Sequence, residues 1–528
     1  MLYSALGYNG AMSAPHRAAA LAGQEILAAG GSAIEAMVAA ASTIAVTYPH
    51  MNGIGGDGFW LIHRPGEAPV GIFAGGHAAA LATPEWYAER GHTSAIPARG
   101  AQAALTVPGT IGGWEAALAL VAPERRLPLP RLLGRAIDYA RNGTAVTGNQ
   151  SRTTAEKLDG LKDVPGFAET FLIDGDVPAP GARLVQPALA RTLTHLAKNG
   201  LRSFYDGPLA ELHGTFLEAQ GSPLRAGDFA AYRAQEVAPL EVTTSQGRLF
   251  NMTPPTQGIA SLMILGVFDR LGVTEGEGFD HIHGLIEATK QAFLLRNAEL
   301  GDPATMREPA QDWLADDRLD AMAARIDRGT ALDWPYEPKQ GDTIWMGAAD
   351  RDGTVVSFIQ SVFWEFGSGL TCPDTGVFFQ NRGAGFSLQP GPNQLAPGKR
   401  PFHTLNPALA HLPDGRVMAY GTMGGEDQPQ TQSAVFTRYA QFGMDLQAAV
   451  TAPRWLLGKT WGDNTTSLKL EARFDPDLVA ALRAAGHQVE MIDAFSDLAG
   501  HAGAVLRHPN GLFEAATDPR ADGAALSF

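Results

Sequence analysis

The pattern of this chain breaks once, and the break limits the folds open to it. Between Asp316 and Asp342 the sequence DDRLDAMAARIDRGTALDWPYEPKQGD leaves helical spacing for Pro, Gly and charge, with no core positions near its end, as an exposed linker does. At Thr343 it changes to TIWMGAADRDGTVVSFIQSVFW, two runs rich in β-branched and aromatic residues around an Asp-Gly turn, which is a strong hairpin signal. A sheet core therefore starts at Thr343. TGVFFQNR, PALAHLPDGRVMAYGT and HAGAVLRHPNGLFEAATD predict further strands, the last two around Asp-Gly and Asn-Gly turns.

Ahead of the break the pattern is mostly helical. Residues Ala18 to Ala45 read as two small-residue helices parted at Gly30 and Gly31, because helix interiors disfavour paired glycines. The loop YPHMNGIGGDG and the strand-like FWLIHR follow. PLPRLLGRAIDYARNG, QPALARTLTHLAKNG and DHIHGLIEATKQAFLLRNAEL each place apolar residues at helical spacing, which predicts outer helical layers.

Composition excludes several classes of function. With 45% hydrophobic and 18% charged residues over 528 positions, the chain can bury a large core. A net charge of −15 without a basic stripe repels phosphate backbones and anionic lipid, so neither nucleic acid nor a membrane is an expected partner. No run approaches the roughly 18 apolar residues of a membrane helix. The amino terminus lacks the basic start, apolar run and small-residue cleavage site of a secretory signal, and a cytoplasmic location is the expectation. Cys372 is the single cysteine, which rules out intrachain disulfides and thiolate-bound metal clusters; no metal or other cofactor is expected.

Two motifs carry functional readings that their setting weakens. Gly53, Gly55 and Gly58 match GxGxxG, yet a helix leads in and a strand leads out, the reverse of the dinucleotide-binding order. A tight turn with backbone packed on backbone is the expectation there. His281 and His283 stand two apart on a predicted helix and so point to nearly opposite faces, which does not suit one shared metal ion.

A threonine at the start of a strand is ordinarily a good β-former. Exposed as a new amino terminus, however, Thr343 would unite nucleophile and base: its hydroxyl attacks, and its α-amine, of pKa about 7.7 to 8.0, takes the proton. A backbone cut between Asp342 and Thr343 would thus create a reactive group.

Taken together, Gly10 to Ile62, FYDGPLAE at Phe204, TPPTQG at Thr253, EATKQAF and LGDP from Glu287 onward, and Thr343 to Gly425 resemble the γ-glutamyltranspeptidase family over nearly the whole chain. The resemblance implies an α/β fold, the four-layer αββα sandwich of N-terminal nucleophile hydrolases. It also implies a precursor that cuts itself into a large subunit, residues 1–342, and a small one, residues 343–528, expected to assemble as a dimer of heterodimers. Thr343 falls on the family's nucleophile, although Ile344 and Trp345 replace the Thr and His that usually follow. Ser361 falls on a second hydroxyl that supports the nucleophile. Gly424 and Gly425 fall on the glycine pair whose N–H groups form the oxyanion hole, and such donors typically contribute about 3 to 4 kcal/mol to the transition state.

Substrate-reading positions depart from the family. Where γ-glutamyl enzymes hold an ammonium with Asn, Gln and Asp, this chain has Phe363, Arg382 and Gly385. A guanidinium repels an ammonium and pairs, often bidentately, with a carboxylate. His403 and Thr404 replace two family serines and offer hydroxyl and N–H groups suited to an anion, while the family arginine expected near Phe73 to His77 has no counterpart in IFAGGHAAA. With Phe363 and Trp364 narrowing the pocket, the departures imply a small anionic amide as substrate, an ω-carboxy or α-oxo acid amide. Within the family they resemble oxamate-cleaving members, which implies release of oxalate and ammonia in purine-ring or allantoin breakdown. Other readings stay open: Arg382 as a structural ion-pair residue, His403 as a satisfied core histidine, Phe363 as core filling. So do a glutaryl or cephalosporin acylase, a γ-glutamyl hydrolase or transferase, and a non-catalytic homologue that binds small acids.

Overall fold

The hairpin expected after Thr343 forms: in a computed structural model that describes residues 2–334, 342–458 and 467–528, with only the backbone of Asp342, Asp342–Asp350 pairs antiparallel with Val355–Phe363. Both of its faces are apolar, so it needs cover on both sides. Ile344, Met346, Ala348, Val356 and Phe358 join one core cluster, and Trp345, Ala349, Val355 and Ile359 join another, as the period of two along a strand requires.

That hairpin is the centre of a seven-stranded sheet, in the order Ala524–Ser527, Gly10–Ala14, Asp342–Asp350, Val355–Phe363, Asp57–His63, Val70–Ala74, Gln235–Val237. A second seven-stranded sheet faces it, in the order Ala5–Gly7, Phe513–Thr517, Ala502–Arg507, Val417–Thr422, Ala408–His411, Gly247–Asn251, Leu240–Thr244. Between them lies a layer built from Phe59, Phe73 and Trp345 on one side and Phe250, Leu409, Val505 and Phe513 on the other. Helices Arg17–Ala28, Ala33–Thr47 and Thr110–Ala119 cover the outer face of the first sheet, and Gly258–Arg270, Phe279–Glu299 and Gln428–Phe436 that of the second. The result is the expected αββα sandwich.

Local sequence explains the parts that matter for the site. The two Ala-rich helices part at Gly30, whose φ of +86° suits glycine, and Ser32 opens the second with a capping box closed by Glu35. Trp345 fills the gap between the sheets and donates from Nε1 to Ser357 Oγ at 2.9 Å; its ring occupies the space a side chain at Gly421 or Gly503 would take. Both sheets draw strands from either side of Thr343, so residues 1–342 and 343–528 interleave.

One expected strand does not form. Thr375 to Arg382, in TGVFFQNR, runs as irregular chain with a single bridge between Phe378 and Thr371. Its buried run Val377, Phe378 and Phe379 looks like a strand in sequence. The backbone is instead spent across several segments, with Gln380 N donating to Gly55 O and Asn381 N to Val362 O.

Candidate active site

Thr343 sits where the hairpin register slips. Asp342 pairs with Phe363 and Ile344 with Gln360, so Thr343 stands opposite both Ser361 and Val362, a bulge of the kind that re-aims side chains beside active sites. Ser361 pairs in turn with Asp57 on the next strand. Residues directly opposite share a face, and two positions along from this row stand Trp345, Ile359 and Phe59, all in the layer between the sheets. Thr343, Ser361 and Asp57 therefore form a buried row at one end of that layer. Ser361 Oγ accepts from Phe363 N at 2.8 Å, and Phe363 takes φ +84°, a conformation rare for a bulky residue and concentrated at functional sites.

The opposite sheet supplies the other half. His403 and Thr404 lead into Ala408–His411, and Gly424 and Gly425 follow Val417–Thr422. The glycine pair takes φ +124° and +60°, and the Asp427 carboxyl lies where a side chain on Gly424 would go. Behind the turn, Gln257 Nε2 donates to Gly425 O at 2.7 Å and to Thr404 O at 2.8 Å. Arg296 holds Gln257 Oε1 at 2.8 Å and Glu426 Oε2 at 2.7 Å. One buried brace thus ties the glycine turn to the His403–Thr404 segment.

Arg382 enters this corner from the turn Arg382–Gly385. It is 1% exposed. Nη1 donates to Thr404 Oγ1 at 3.2 Å, and the Phe363 ring covers one face of the guanidinium, 3.9 Å from centroid to Cζ. Among the described residues Nε and Nη2 have no hydrogen-bond partner. Burial pulls its pKa down to about 9, against the pull of Asp57, and Nε with Nη2 form the edge that engages a carboxylate with two parallel bonds.

Asp57 is the residue that sequence reasoning missed. Its Oδ1 accepts from Gly76 N at 2.9 Å, Gly109 N at 3.2 Å and Gln380 Nε2 at 2.9 Å, and its Oδ2 faces His403 Nε2 at 3.0 Å. The expected role of His403 as an N–H donor to an anion meets this bond: Nε2 is engaged by Asp57, and Nδ1 is buried without a partner among the described residues. Within GIGGDG, an acid at the head of the wholly buried strand Asp57–His63 was the available signal. The surrounding glycines serve packing, as expected: Phe378 O fills the place of a side chain on Gly55, and Ser361 O that on Gly56.

His281 and His283 do diverge on Phe279–Glu299. His281 Nε2 meets Thr437 Oγ1 at 2.9 Å, whereas His283 Nδ1 meets His487 Nε2 at 2.9 Å. Glu287 completes a buried trio with His283 and His487, and Lys290 Nζ, 2.6 Å from Glu287 Oε1, pairs with its carboxylate. No described helix is long and apolar enough to cross a membrane. A cavity of about 790 Å³ opens beside the glycine turn, bordered by Met423, Met51, Asn149, Arg152 and Phe495.

Two facing sheets, with a threonine at a strand bulge of one, a braced glycine turn at a strand end of the other and an open-edged arginine against Phe363 and Thr404, describe a class, and sequence comparison agrees: residues 19–528 match the gamma-glutamyltranspeptidase family, to which the chain belongs. Among individual proteins it is 53% identical over 523 residues to the oxamate amidohydrolase proenzyme of Klebsiella pneumoniae subsp. pneumoniae, covering 98% of each chain. It is 38% identical to the glutathione hydrolase-like YwrD proenzyme of Bacillus subtilis, covering 99% of each. The cephalosporin acylase from Bacillus halodurans shares the fold with a TM-score of 0.91 at 32% identity, covering 99% of this chain and 97% of that one.

Proposed function

We propose that this protein is an amidohydrolase that cleaves oxamate to oxalate and ammonia through an acyl-enzyme on Thr343. The observation that carries the substrate class is the buried Arg382 with its Nε/Nη2 edge unengaged, beside a row that holds Thr343. A buried guanidinium left without an anion is costly, and a substrate carboxylate offsets that cost at binding. The similarity to a protein named for oxamate selects the smallest such amide, and the Phe363 ring over the guanidinium supports a short acyl group.

The chemistry follows from the row. A cut between Asp342 and Thr343 frees the α-amine; Thr343 Oγ attacks the amide carbon while the amine takes the hydroxyl proton. Gly424 and Gly425 N–H groups stabilise the tetrahedral oxyanion, and its collapse passes the proton to the departing nitrogen as ammonia. Water, activated by the same amine, then attacks the ester, and oxalate leaves. In this reading Ser361 supports Thr343, Thr404 orients Arg382, and the cavity at Met423 serves as the way in. The precursor cuts itself at the same bond, the interleaved fragments remain together as a heterodimer that pairs again, and the cytoplasmic enzyme serves the end of purine-ring or allantoin nitrogen breakdown.

Ammonia release from oxamate, compared with a glutaryl amide and a γ-glutamyl amide, tests the reading. Oxamate is expected to be cleaved at least about a hundredfold better than either rival, since their carboxylates lie several carbons from the amide and miss the Arg382 edge when the amide is at Thr343, and a lost charged contact costs roughly 3 kcal/mol. Denaturing gels should show two fragments, the smaller beginning at Thr343. Thr343→Ala should give one band and no ammonia; retained activity in that variant ends the proposal, and preference for the glutaryl amide makes the protein an acylase.

A further inference from the structure

Among the described residues, the Arg382 and His403 side chains leave three atoms without partners: two donors, Arg382 Nε and Nη2, and one ring nitrogen, His403 Nδ1. What His403 Nδ1 can offer is decided by Asp57. Three N–H groups already converge on Asp57 Oδ1, an environment built for a carboxylate that only accepts. Its Oδ2 then accepts from His403 Nε2–H at 3.0 Å. A neutral imidazole that carries its proton on Nε2 presents a bare lone pair at Nδ1. His403 is held in that orientation by the Phe59 ring, edge-on at 4.6 Å between centroids, and by Gln257 N, which donates to His403 O at 2.9 Å.

We propose that Asp57 and His403 make the site specific for an amide whose nitrogen still bears hydrogen: Asp57 is the positioning residue that fixes His403 as the Nε2–H tautomer, and the bare Nδ1 accepts a hydrogen bond from the carboxamide nitrogen of the substrate. The inference rests on the reading of Arg382 as the carboxylate anchor. Two donors and one acceptor, all buried, match a molecule with a carboxylate at one end and an N–H at the other. They mismatch oxalate, in which an oxygen lone pair would meet the lone pair of Nδ1. The site thus distinguishes its substrate from its own product, which has nearly the same shape, and an N,N-dialkylated amide is rejected for lack of a donor.

Asp57→Asn tests this directly. The three donors that converge on Oδ1 keep the amide oxygen of the replacement side chain at that position, so its NH₂ faces His403 Nε2 and moves the ring proton to Nδ1. At pH 8.5, where Asp57 is ionised because burial raises its pKa only to about 7, the wild-type enzyme should bind oxalate about tenfold more weakly than oxamate and leave N,N-dimethyloxamate intact. In Asp57→Asn the KM for oxamate should rise, and the inhibition constant of oxalate fall, each by about tenfold. Equal movement of both constants in one direction overturns the proposal. Should Asp57→Asn fail to fold, His403→Ala decides: the preference for oxamate over oxalate should collapse by about tenfold, and an unchanged preference overturns it. If the wild-type enzyme does not cleave oxamate, the substrate reading fails by itself. The tautomer is then judged by ¹⁵N NMR: a bare Nδ1 on His403 in the wild type that becomes protonated in Asp57→Asn supports the proposal, and a protonated Nδ1 in the wild type overturns it.

Discussion

Arg520 and Arg382 are both buried arginines beside an aromatic ring, and they differ in one respect. Arg520 donates from Nε to Glu471 Oε1 at 2.8 Å, from Nη2 to the other Glu471 oxygen, and from Nη1 to Asp518 Oδ1 at 3.0 Å. Against the downward pull of burial, Asp518 and Glu471 hold its pKa above the ordinary value. Arg382 has, among the described residues, one hydrogen bond, to the neutral hydroxyl of Thr404, and burial takes its pKa down to about 9. The described residues supply carboxylates to the first arginine and none to the matching edge of the second. Equal burial with opposite electrostatic fates separates an arginine that holds the structure together from one kept for a ligand.

Substitution breaks the comparison most strongly at Arg382. Arg382→Gln should lower kcat/KM for oxamate about a thousandfold, because two charge-assisted bonds worth roughly 1.5 to 3 kcal/mol each are lost. Its melting temperature should change little, since among the described residues the guanidinium is hydrogen-bonded to no carboxylate and its lost pull on Asp57 is offset by the removal of a buried cation. A fall in stability with unchanged kinetics would place Arg382 with Arg520 as structural. The converse holds for Arg520→Gln, which takes the bidentate partner from Glu471 and one of two arginines from Asp518 and should cost about 3 kcal/mol of stability. Urea titration measures that loss, while kcat and KM of the folded remainder should match the wild type; a specific loss of oxamate affinity would dissolve the distinction.

A gentler probe adds the missing carboxylate. Oxalate at a hundred times its dissociation constant should stabilise the wild-type protein by about 2.7 kcal/mol through mass action, seen as a raised thermal midpoint. Arg382→Gln should show no rise at the same concentration, whereas Arg520→Gln, starting lower, should show the full increment. Equal stabilisation of both variants would mean that the dianion binds elsewhere.

The sequence made half of this comparison legible. The linker-to-hairpin break located Thr343, and turn signals at Asp352-Gly353, Asp414-Gly415 and Asn510-Gly511 placed three hairpins that the structure contains, because a two-residue period and a tight turn are local properties. Arg382 was singled out through family resemblance, since nothing near it in TGVFFQNR separates a ligand-binding arginine from a structural one. Asp57 escaped notice because its partners Gly76, Gly109, Gln380 and His403 are scattered over more than half the chain. The brace of Gln257, Arg296 and Glu426 escaped for the same reason. TGVFFQNR itself passed for a strand because an apolar aromatic run buried on all sides has the composition of one without the ladder.

The finest test separates the two titrations near neutrality. Burial raises the Asp57 carboxyl to about 7, against the opposing pull of Arg382, Gln380 and the amides of Gly76 and Gly109. Below that value the added proton lets Asp57 donate to His403 Nε2, which moves the ring proton to Nδ1 and turns an acceptor into a donor. The kcat/KM for oxamate should therefore rise through pH 7 as Asp57 ionises, by about tenfold in all, and inhibition by oxalate should fade over the same interval. The α-amine of Thr343 adds its own rising limb near 7.7 to 8.0, so the wild-type profile should show both steps. Asp57→Asn should retain the amine limb alone, displaced downward, while Arg382→Gln should keep both limbs at reduced height and shift the Asp57 limb upward, since a cation that favours the carboxylate has gone. A single limb in the wild type, unchanged by Asp57→Asn, would show that His403 is set by packing and that Asp57 belongs with Glu471 and Asp518 among the carboxylates that only hold the fold.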